Sequence, residues 1–282
     1  MTESSANEAA LQYLGHRYEV TETLKFPLQD ENFVKEWEEW FQCRLCFPEA
    51  IEEILKSDKT RCWIEKTAAG GIPVAYVSER ASFERLYAIL DMKTDTFSLP
   101  ASVNAFTVPV KLPEMKGHRI ILLNKAGYSA LSGEDVGISE KEWVEKSAII
   151  RLHHECFHYF TLRALGGMKN HALDEVAADC AGQIAAFGRF SASLQRKFLG
   201  LTEDGGGLKE GGRLWFYMKK LPAESVPMVC RHVNAALGAL ESYLDDNGAM
   251  RKSERSSDLA VKLASAGILG IATMGKDRSG CL

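Results

Sequence analysis

The chain has 282 residues, of which 46% are hydrophobic and 26% charged, enough for one large domain or two closely packed subdomains. This composition excludes a disordered, collagen-like or coiled-coil protein as the main state. With 34 Lys and Arg against 38 Asp and Glu, the formal net charge is −4. Such a chain has no general attraction for phosphate backbones or anionic lipids, so we expect neither nucleic acid nor membrane as a partner.

The N-terminal residues and the cysteines indicate a compartment. The first residues, MTESSANEAALQYLG, have neither the basic start nor the apolar core of a secretory signal. The most membrane-like stretch, 259–274, is shorter than a bilayer span and is interpreted as a buried helix. Seven cysteines form an odd, scattered set that fits a reducing compartment better than a disulfide framework. We therefore expect a cytoplasmic protein.

The first half of the chain predicts a helix and then a small sheet. Residues 1–10 are polar and are expected to form a disordered tail. Between residues 31 and 56, four aromatic residues recur at the spacing of one helix face, which predicts a helix packed into the core and broken at Pro48. These residues are Phe33, Trp37, Trp40 and Phe41. Residues 61–123 contain short runs of Val, Ile, Tyr, Phe and Thr between Gly and Pro residues, which predict a sheet.

After residue 139 the sequence predicts an almost wholly helical chain with glycine-rich breaks. Before residue 139, within the sheet region, a short helix is predicted at 82–90 and a strand at 119–123. The later helices are predicted at 140–165, 173–187, 209–220, 223–245 and 256–273. A small sheet followed by helices is an α+β arrangement. We predict a sheet subdomain with two site helices at 11–188 and a helical subdomain at 189–282.

A histidine motif lies inside the first of these later helices. Residues 154–158 read HECFH, after a predicted capping box formed by Ser139 and Glu142. In an α-helix, residues four apart differ by about 40° in rotation and about 6 Å in rise, so His154 and His158 can direct their imidazoles at one metal ion. Glu155 is poorly placed as a further ligand but can reach a water molecule on that metal.

A catalytic zinc site needs a third protein ligand and an open position. The next predicted helix supplies Glu175 and Asp179, four residues apart on one face, after a loop at 166–172 short enough to form a helical hairpin. We expect Glu175 to complete the metal site and Asp179 to accept the outer N–H of a ligand histidine. His171, in the connecting loop, is the alternative third ligand.

The motif and its surroundings resemble the gluzincin metallopeptidases. The segment Asn104-Ala105-Phe106 is similar to the edge strand that lines the substrate cleft in many members of that group. The order of this segment, a strand, the histidine helix and Glu-x-x-x-Asp is most similar to the compact M48-like branch. The resemblance covers about residues 100–190 and implies a zincin-like α+β fold.

The resemblance also implies a function. The protein would be a zinc-dependent peptidase with one Zn²⁺ held by His154, His158 and Glu175, and Glu155 as the general base for a metal-activated water. A peptide or protein substrate would pair with the backbone of residues 104–106. For the oxyanion, Arg231 or His232 is the expected second donor.

Two other functions remain open from the sequence. One is a catalytically silent regulatory or sensing protein that keeps the metal, and the other is a zinc hydrolase of a non-peptide amide. The sequence does not determine the natural substrate, an activating partner or the oligomeric state. It also leaves open whether the first 60 residues cover the cleft as an inhibitory segment.

Overall fold

In the described residues of a computed structural model, the chain forms eleven helices and four strands. The described ranges are 3–20, 24–93, 98–167, 169, 171–209, 211–246 and 256–274. The helices are α1 (Glu3–Leu14), α2 (Phe33–Phe41), α3 (Glu49–Leu55), α4 (Arg80–Leu90), α5 (Gly133–Val136), α6 (Glu140–Ala164), α7 (Ala172–Phe187), α8 (Ala192–Leu199), α9 (Arg213–Met218), α10 (Val226–Asp246) and α11 (Ser256–Ile271). The strands are β1 (Thr60–Thr67), β2 (Gly70–Val77), β3 (Ala105–Pro109) and β4 (Arg119–Asn124).

The chain divides into two compact units at places that differ from the predicted boundaries. The first unit combines Met1–Thr23 with Leu165–Leu282, and the second is Leu24–Ala164. The division therefore falls at the end of α6, whereas the sequence placed it after residue 188. Helix α7 packs against α11 and so belongs to the helical unit, and α1 packs against α10 and α11, which joins the start of the chain to the same unit.

The expected disordered tail is a helix. Residues 1 and 2 lie outside the described residues, but α1 begins at Glu3. Its residues Ala6, Ala10 and Leu14 are buried at 3%, 0% and 0% exposure. A spacing of four residues places these side chains on one face, and the polar residues between them face outward. The prediction of disorder rested on the average polarity of the segment and missed the apolar side chains on that one face.

The second unit contains a mixed four-stranded sheet in the order β1-β2-β4-β3. Strand β1 pairs antiparallel with β2, β2 pairs parallel with β4, and β4 pairs antiparallel with β3. Every residue of β2 is buried, as expected for a central strand, whereas β3 lies at the edge. The prediction of an α+β fold with a small sheet is confirmed.

Helices cover both faces of this sheet. On one face, α2, α3 and α4 enclose the main hydrophobic core, in which Trp37 and Ile51 are fully buried. Phe106 and Leu122 point into this core. Because side chains alternate along a strand, Thr107 points to the opposite face, where α6 packs on β3 and β4. Within this unit, the helices of residues 33–55 thus form part of the core on the face opposite α6. The helical pattern predicted over residues 31–56 and broken at Pro48 forms two helices, of which α3 begins directly after that proline.

The first unit is a helical assembly. Helix α10 buries a stripe on one face and packs against α1, α8 and α11, while α11 also packs against α7. The stripe consists of Val229, Val233, Leu237, Leu240 and Leu244. The predicted helices at 173–187, 223–245 and 256–273 correspond to α7, α10 and α11, whereas α8 was not predicted. Among the described residues, no helix is both long enough and apolar enough to cross a membrane.

Candidate metal centre

Helix α6 carries the histidine motif in the second unit. The hydroxyl of Ser139 accepts the N–H of Glu142 at 3.2 Å, which gives one half of the predicted capping box. The helix then runs for 25 residues to Ala164 and is followed by Gly166 in a left-handed conformation (φ 75°), a common way to end a helix. The motif thus lies in the second half of a long, regular helix.

The two motif histidines meet at their Nε2 atoms. His154 and His158 are one helical turn apart and each is 7% exposed. Their Nε2 atoms are 2.9 Å apart. Two imidazole nitrogens on one tetrahedral zinc ion at the usual Zn–N distance are about 3.3 Å apart, so a separation larger by a few tenths of an ångström would accommodate the ion. Paired imidazoles are also a donor type that zinc prefers.

Tyr128 contacts the outer nitrogen of His154. Its hydroxyl oxygen lies 3.0 Å from Nδ1 of His154. A ring that directs the Nε2 lone pair at a metal carries its proton on Nδ1, which can donate to this oxygen. The sequence predicts Asp179 as a partner of a ligand histidine, whereas at His154 a tyrosine from the preceding loop takes this position.

The loop that carries Tyr128 is fastened to α6. The Tyr128 N–H donates to the Ser147 hydroxyl at 2.9 Å, and the Arg151 guanidinium donates to the carbonyls of Ala126 and Gly127 at 2.7 and 2.6 Å. Burial lowers the pKa of Arg151 to about 10, so this side chain keeps its charge at neutral pH. The Arg151 guanidinium and the Ser147 hydroxyl therefore hold the Tyr128 loop against the histidine helix.

Glu155 is held by the edge strand. It is 7% exposed, and its Oε2 accepts a hydrogen bond of 2.8 Å from the Thr107 hydroxyl of β3. The same hydroxyl lies 3.3 Å from the backbone oxygen of Glu155. The carboxylate beside the paired histidines thus has a fixed partner on the strand that was predicted to line the cleft.

The outward-facing backbone groups of β3 differ from those expected. The Asn104 carbonyl accepts the Asn124 N–H, and the Val110 N–H donates to the His118 carbonyl. These bonds and the register show that even-numbered residues of this strand bond to β4, so the N–H and C=O groups of Ala105 and Thr107 face the free edge.

This alternation corrects the roles predicted for Asn104 and Phe106. Phe106 uses its backbone for β4, and its ring stacks on Tyr87 with centroids 4.4 Å apart in the core. The Asn104 amide accepts from Arg80 at 2.9 Å and donates to the Ala101 carbonyl at 2.8 Å. Of the three predicted substrate-binding residues, only Ala105 turns its backbone N–H and C=O to the free edge. Thr107, which was not predicted, does the same.

Glu175 and Asp179 lie on α7 of the first unit, both buried at 4% and 0% exposure. Asp179 accepts from the Gln195 amide at 2.6 Å and from the Arg213 guanidinium. Arg213 also approaches Glu175, with its Nε 3.6 Å from Oε2. The half-buried Tyr217 hydrogen-bonds to Glu175 through its phenol, and burial of that phenol, followed by the charge of the carboxylate, raises the pKa of Tyr217. Asp179 is therefore held by side chains of α8 and α9, and Glu175 by side chains of α9.

Arg231 and His232, the predicted donors to the oxyanion, lie on α10. Arg231 is exposed, and the His232 ring donates from Nδ1 to the Met228 carbonyl of its own helix at 2.9 Å. Within this unit, Arg213 and Tyr217 contact Glu175. Arg213 was not predictable from the sequence, because a single arginine in a short helix has no spacing that marks it.

A second group of potential ligands lies at the start of α7. The ligand atoms of His16, His171 and Asp174 all lie within 4.8 Å of one another. However, both ring nitrogens of His171 are engaged: Nδ1 accepts the Leu173 N–H at 3.0 Å, and Nε2 donates to the Tyr13 carbonyl at 2.9 Å. This is the pattern of a helix cap.

The nearby Lys169 ammonium also disfavours a cation at this second group. Burial, followed by the neighbouring His16 and to a smaller extent Lys169, lowers the pKa of His171 to about 4. Asp174 accepts the Tyr18 hydroxyl. We therefore interpret the group as a hydrogen-bonded cap of α7, and we do not regard His171 as the third ligand.

The structure is a mixed α+β protein in which a long helix brings two imidazoles together beside an edge strand. The chain belongs to a family of unknown function, DUF7005, whose model matches residues 110–274. The matched residues include His154, Glu155, His158, Glu175 and Asp179. No curated protein and no solved structure matches the chain.

Proposed function

We propose that the protein is a zinc-dependent peptidase with Glu155 as its general base. The observation that carries the proposal is the approach of the Nε2 atoms of His154 and His158 to 2.9 Å, next to a buried Glu155 carboxylate held by the edge strand. Paired imidazoles on one helix with an adjacent carboxylate are the arrangement of a metal-activated hydrolase.

We assign Glu175 as the third ligand. Helix α7 has three buried carboxylates, and Asp174 accepts the Tyr18 hydroxyl while Asp179 accepts from Gln195 and Arg213. Glu175 is the one that the resemblance assigns to the metal. The alternative ligand, His171, has both ring nitrogens engaged. In this assignment Arg213 and Tyr217 hold Glu175, so that its carboxylate is oriented before an ion binds.

The chain's own groups perform the proton transfers. When bound, zinc would lower the pKa of a water molecule from about 16 toward about 7 and polarise the substrate carbonyl. Glu155 takes a proton from that water and returns it to the leaving amine. Tyr128 holds His154 in the tautomer that presents Nε2 as a ligand.

The substrate that this arrangement favours is an extended peptide. Ala105 and Thr107 turn their N–H and C=O groups to the free edge of β3, where a peptide can be added as a further strand. The next outward position is Pro109, which has no N–H to donate. Pairing through two residues of main chain gives affinity with little selection for side chains, so we expect broad cleavage of unfolded or loop segments.

The experiment compares wild type with two matched variants of α6. Glu155→Gln removes the base, and Glu145→Gln makes the same change at an exposed position of the same helix. We measure zinc per chain by mass spectrometry and cleavage of fluorescein-labelled casein by zinc-loaded protein. We expect all three proteins to hold zinc and only Glu155→Gln to lose activity, by about 100-fold or more.

Two results would favour other functions. Zinc binding by wild type without cleavage of casein or other unfolded proteins indicates the silent regulatory protein. Equal cleavage by wild type and Glu155→Gln removes Glu155 from the mechanism and contradicts the proposal.

A further inference from the structure

Thr107 is the only residue whose described contacts connect the edge strand directly to the Glu155 carboxylate. It lies in the middle of β3, and its side chain points to the face on which α6 packs. The Oγ1 atom donates to Oε2 of Glu155 at 2.8 Å, while the backbone oxygen of Glu155, at 3.3 Å, is the longer and weaker acceptor. The hydroxyl proton of Thr107 is therefore shared between the carboxylate and the backbone oxygen of Glu155.

A carboxylate that acts as a base needs a defined orientation. The terminal torsion of a glutamate is broad, so the two oxygens of a carboxylate without partners exchange places readily. A bond from Thr107 to Oε2 fixes the plane of the group and leaves Oε1 to accept the proton. Correct orientation of reacting groups contributes strongly to rate, and small misplacements cost large factors.

The same residue also belongs to the outward edge. The N–H and C=O of Thr107 face the side of β3 where we expect the substrate strand. Its backbone would contact the peptide while its side chain holds the base. A shift of β3 therefore moves the substrate and the base together, which keeps the scissile bond and the carboxylate in register.

We propose that Thr107 is a positioning residue that orients the Glu155 carboxylate relative to a peptide paired with β3. The inference rests on the proposed peptidase function. It predicts that the hydroxyl acts on the turnover step, whereas substrate binding depends on the backbone of the strand and metal binding on the histidines.

The test uses three substitutions of threonine. Thr107→Val keeps the β-branched shape and removes the hydroxyl, and Thr107→Ser keeps the hydroxyl. Thr60→Val is the matched control, because Thr60 also lies on a strand of this unit and its hydroxyl has no hydrogen-bond partner among the described residues. Zinc content, thermal unfolding, and kcat and KM on labelled casein are measured for each full-length protein.

We expect Thr107→Val to lower kcat about tenfold or more, with KM and zinc content within about twofold of wild type. Thr107→Ser should recover most of kcat, and Thr60→Val should match wild type. A crystal structure of Thr107→Val should show the Glu155 carboxylate rotated away from the orientation that it has in wild type. A purely structural role of Thr107 would instead appear as a lower unfolding temperature or lost zinc.

The outcomes separate this inference from the proposed function. If Glu155→Gln abolishes cleavage but Thr107→Val cleaves like wild type, the positioning role is wrong and the peptidase proposal stands. If zinc-loaded wild type does not cleave, or Glu155→Gln cleaves equally well, the proposed function fails and this inference fails with it. Loss of kcat in Thr107→Ser equal to that in Thr107→Val also overturns the role of the hydroxyl.

Discussion

Replacement of Tyr128 by Phe tests whether the loop before α6 tunes a metal ligand. The substitution removes the oxygen that lies 3.0 Å from Nδ1 of His154 and keeps the ring. Both residues are buried, at 6% and 7% exposure, so water does not readily replace the lost partner. A buried polar group without a partner costs about 1–3 kcal/mol.

Only the part of this cost that changes when the metal binds alters affinity. The lost bond weakens the metal-free protein as well, but an imidazole on a cation is a stronger N–H donor and loses more. Outer partners of ligand histidines typically change metal affinity by about 10- to 100-fold. We therefore expect the zinc dissociation constant of Tyr128→Phe to rise about tenfold, which corresponds to about 1.4 kcal/mol.

The assay is competition with a chromophoric zinc chelator at neutral pH. Tyr87→Phe is the matched control, because its hydroxyl bonds to Asp91 at 3.2 Å and its ring stacks on Phe106 in the core, on the sheet face opposite α6. Unchanged zinc affinity in Tyr128→Phe would refute the reasoning. An equal loss in Tyr87→Phe would assign the effect to general destabilisation.

Two further predictions concern the first unit. His171 has a pKa of about 4 when folded against an ordinary value of 6.5, so the unfolded chain binds the proton first and stability falls as pH drops through this window. The free energy of unfolding should therefore fall by about 2 kcal/mol between pH 7 and pH 5. The variant His171→Asn keeps a capping side chain, and its stability in urea unfolding should depend less on pH. A pH dependence equal to that of wild type would contradict this prediction. Arg213→Met leaves Asp179 and Glu175 without their partly buried cation and should destabilise the protein by about 3 kcal/mol in urea unfolding at neutral pH. Partial recovery is expected in Arg213→Lys, whereas wild-type stability of Arg213→Met would show that these ion pairs contribute little.

The elements that carry strong local patterns were predictable from the sequence. Helix α6 has a serine cap, a long helical pattern and a glycine after its end, so both its type and its limits follow from residues close in the chain. The motif spacing that aligns His154 with His158 depends only on helix geometry. The prediction of Ala105 as an outward-facing residue of an edge strand also agrees with the structure.

Features set by distant contacts were not predictable. Tyr128 and Thr107 are a lone tyrosine in a loop and a lone threonine in a strand, and the folding of those segments against α6 determines their partners. The faces of Asn104 and Phe106 depend on the pairing register with β4, which the three residues alone do not determine. Helix α1 depends on packing against α10 and α11, because half of its own sequence is polar and its buried face is narrow.

The zinc content of folded variants tests the central claim most directly. We expect about one zinc ion per chain in wild type and in Glu155→Gln after dialysis against a zinc-buffered solution, and little in His154→Ala, His158→Ala or Glu175→Ala. Circular dichroism establishes that each variant is folded. A wild-type protein without zinc, or a Glu175→Ala variant that binds zinc as tightly as wild type, would contradict a centre formed by these three ligands.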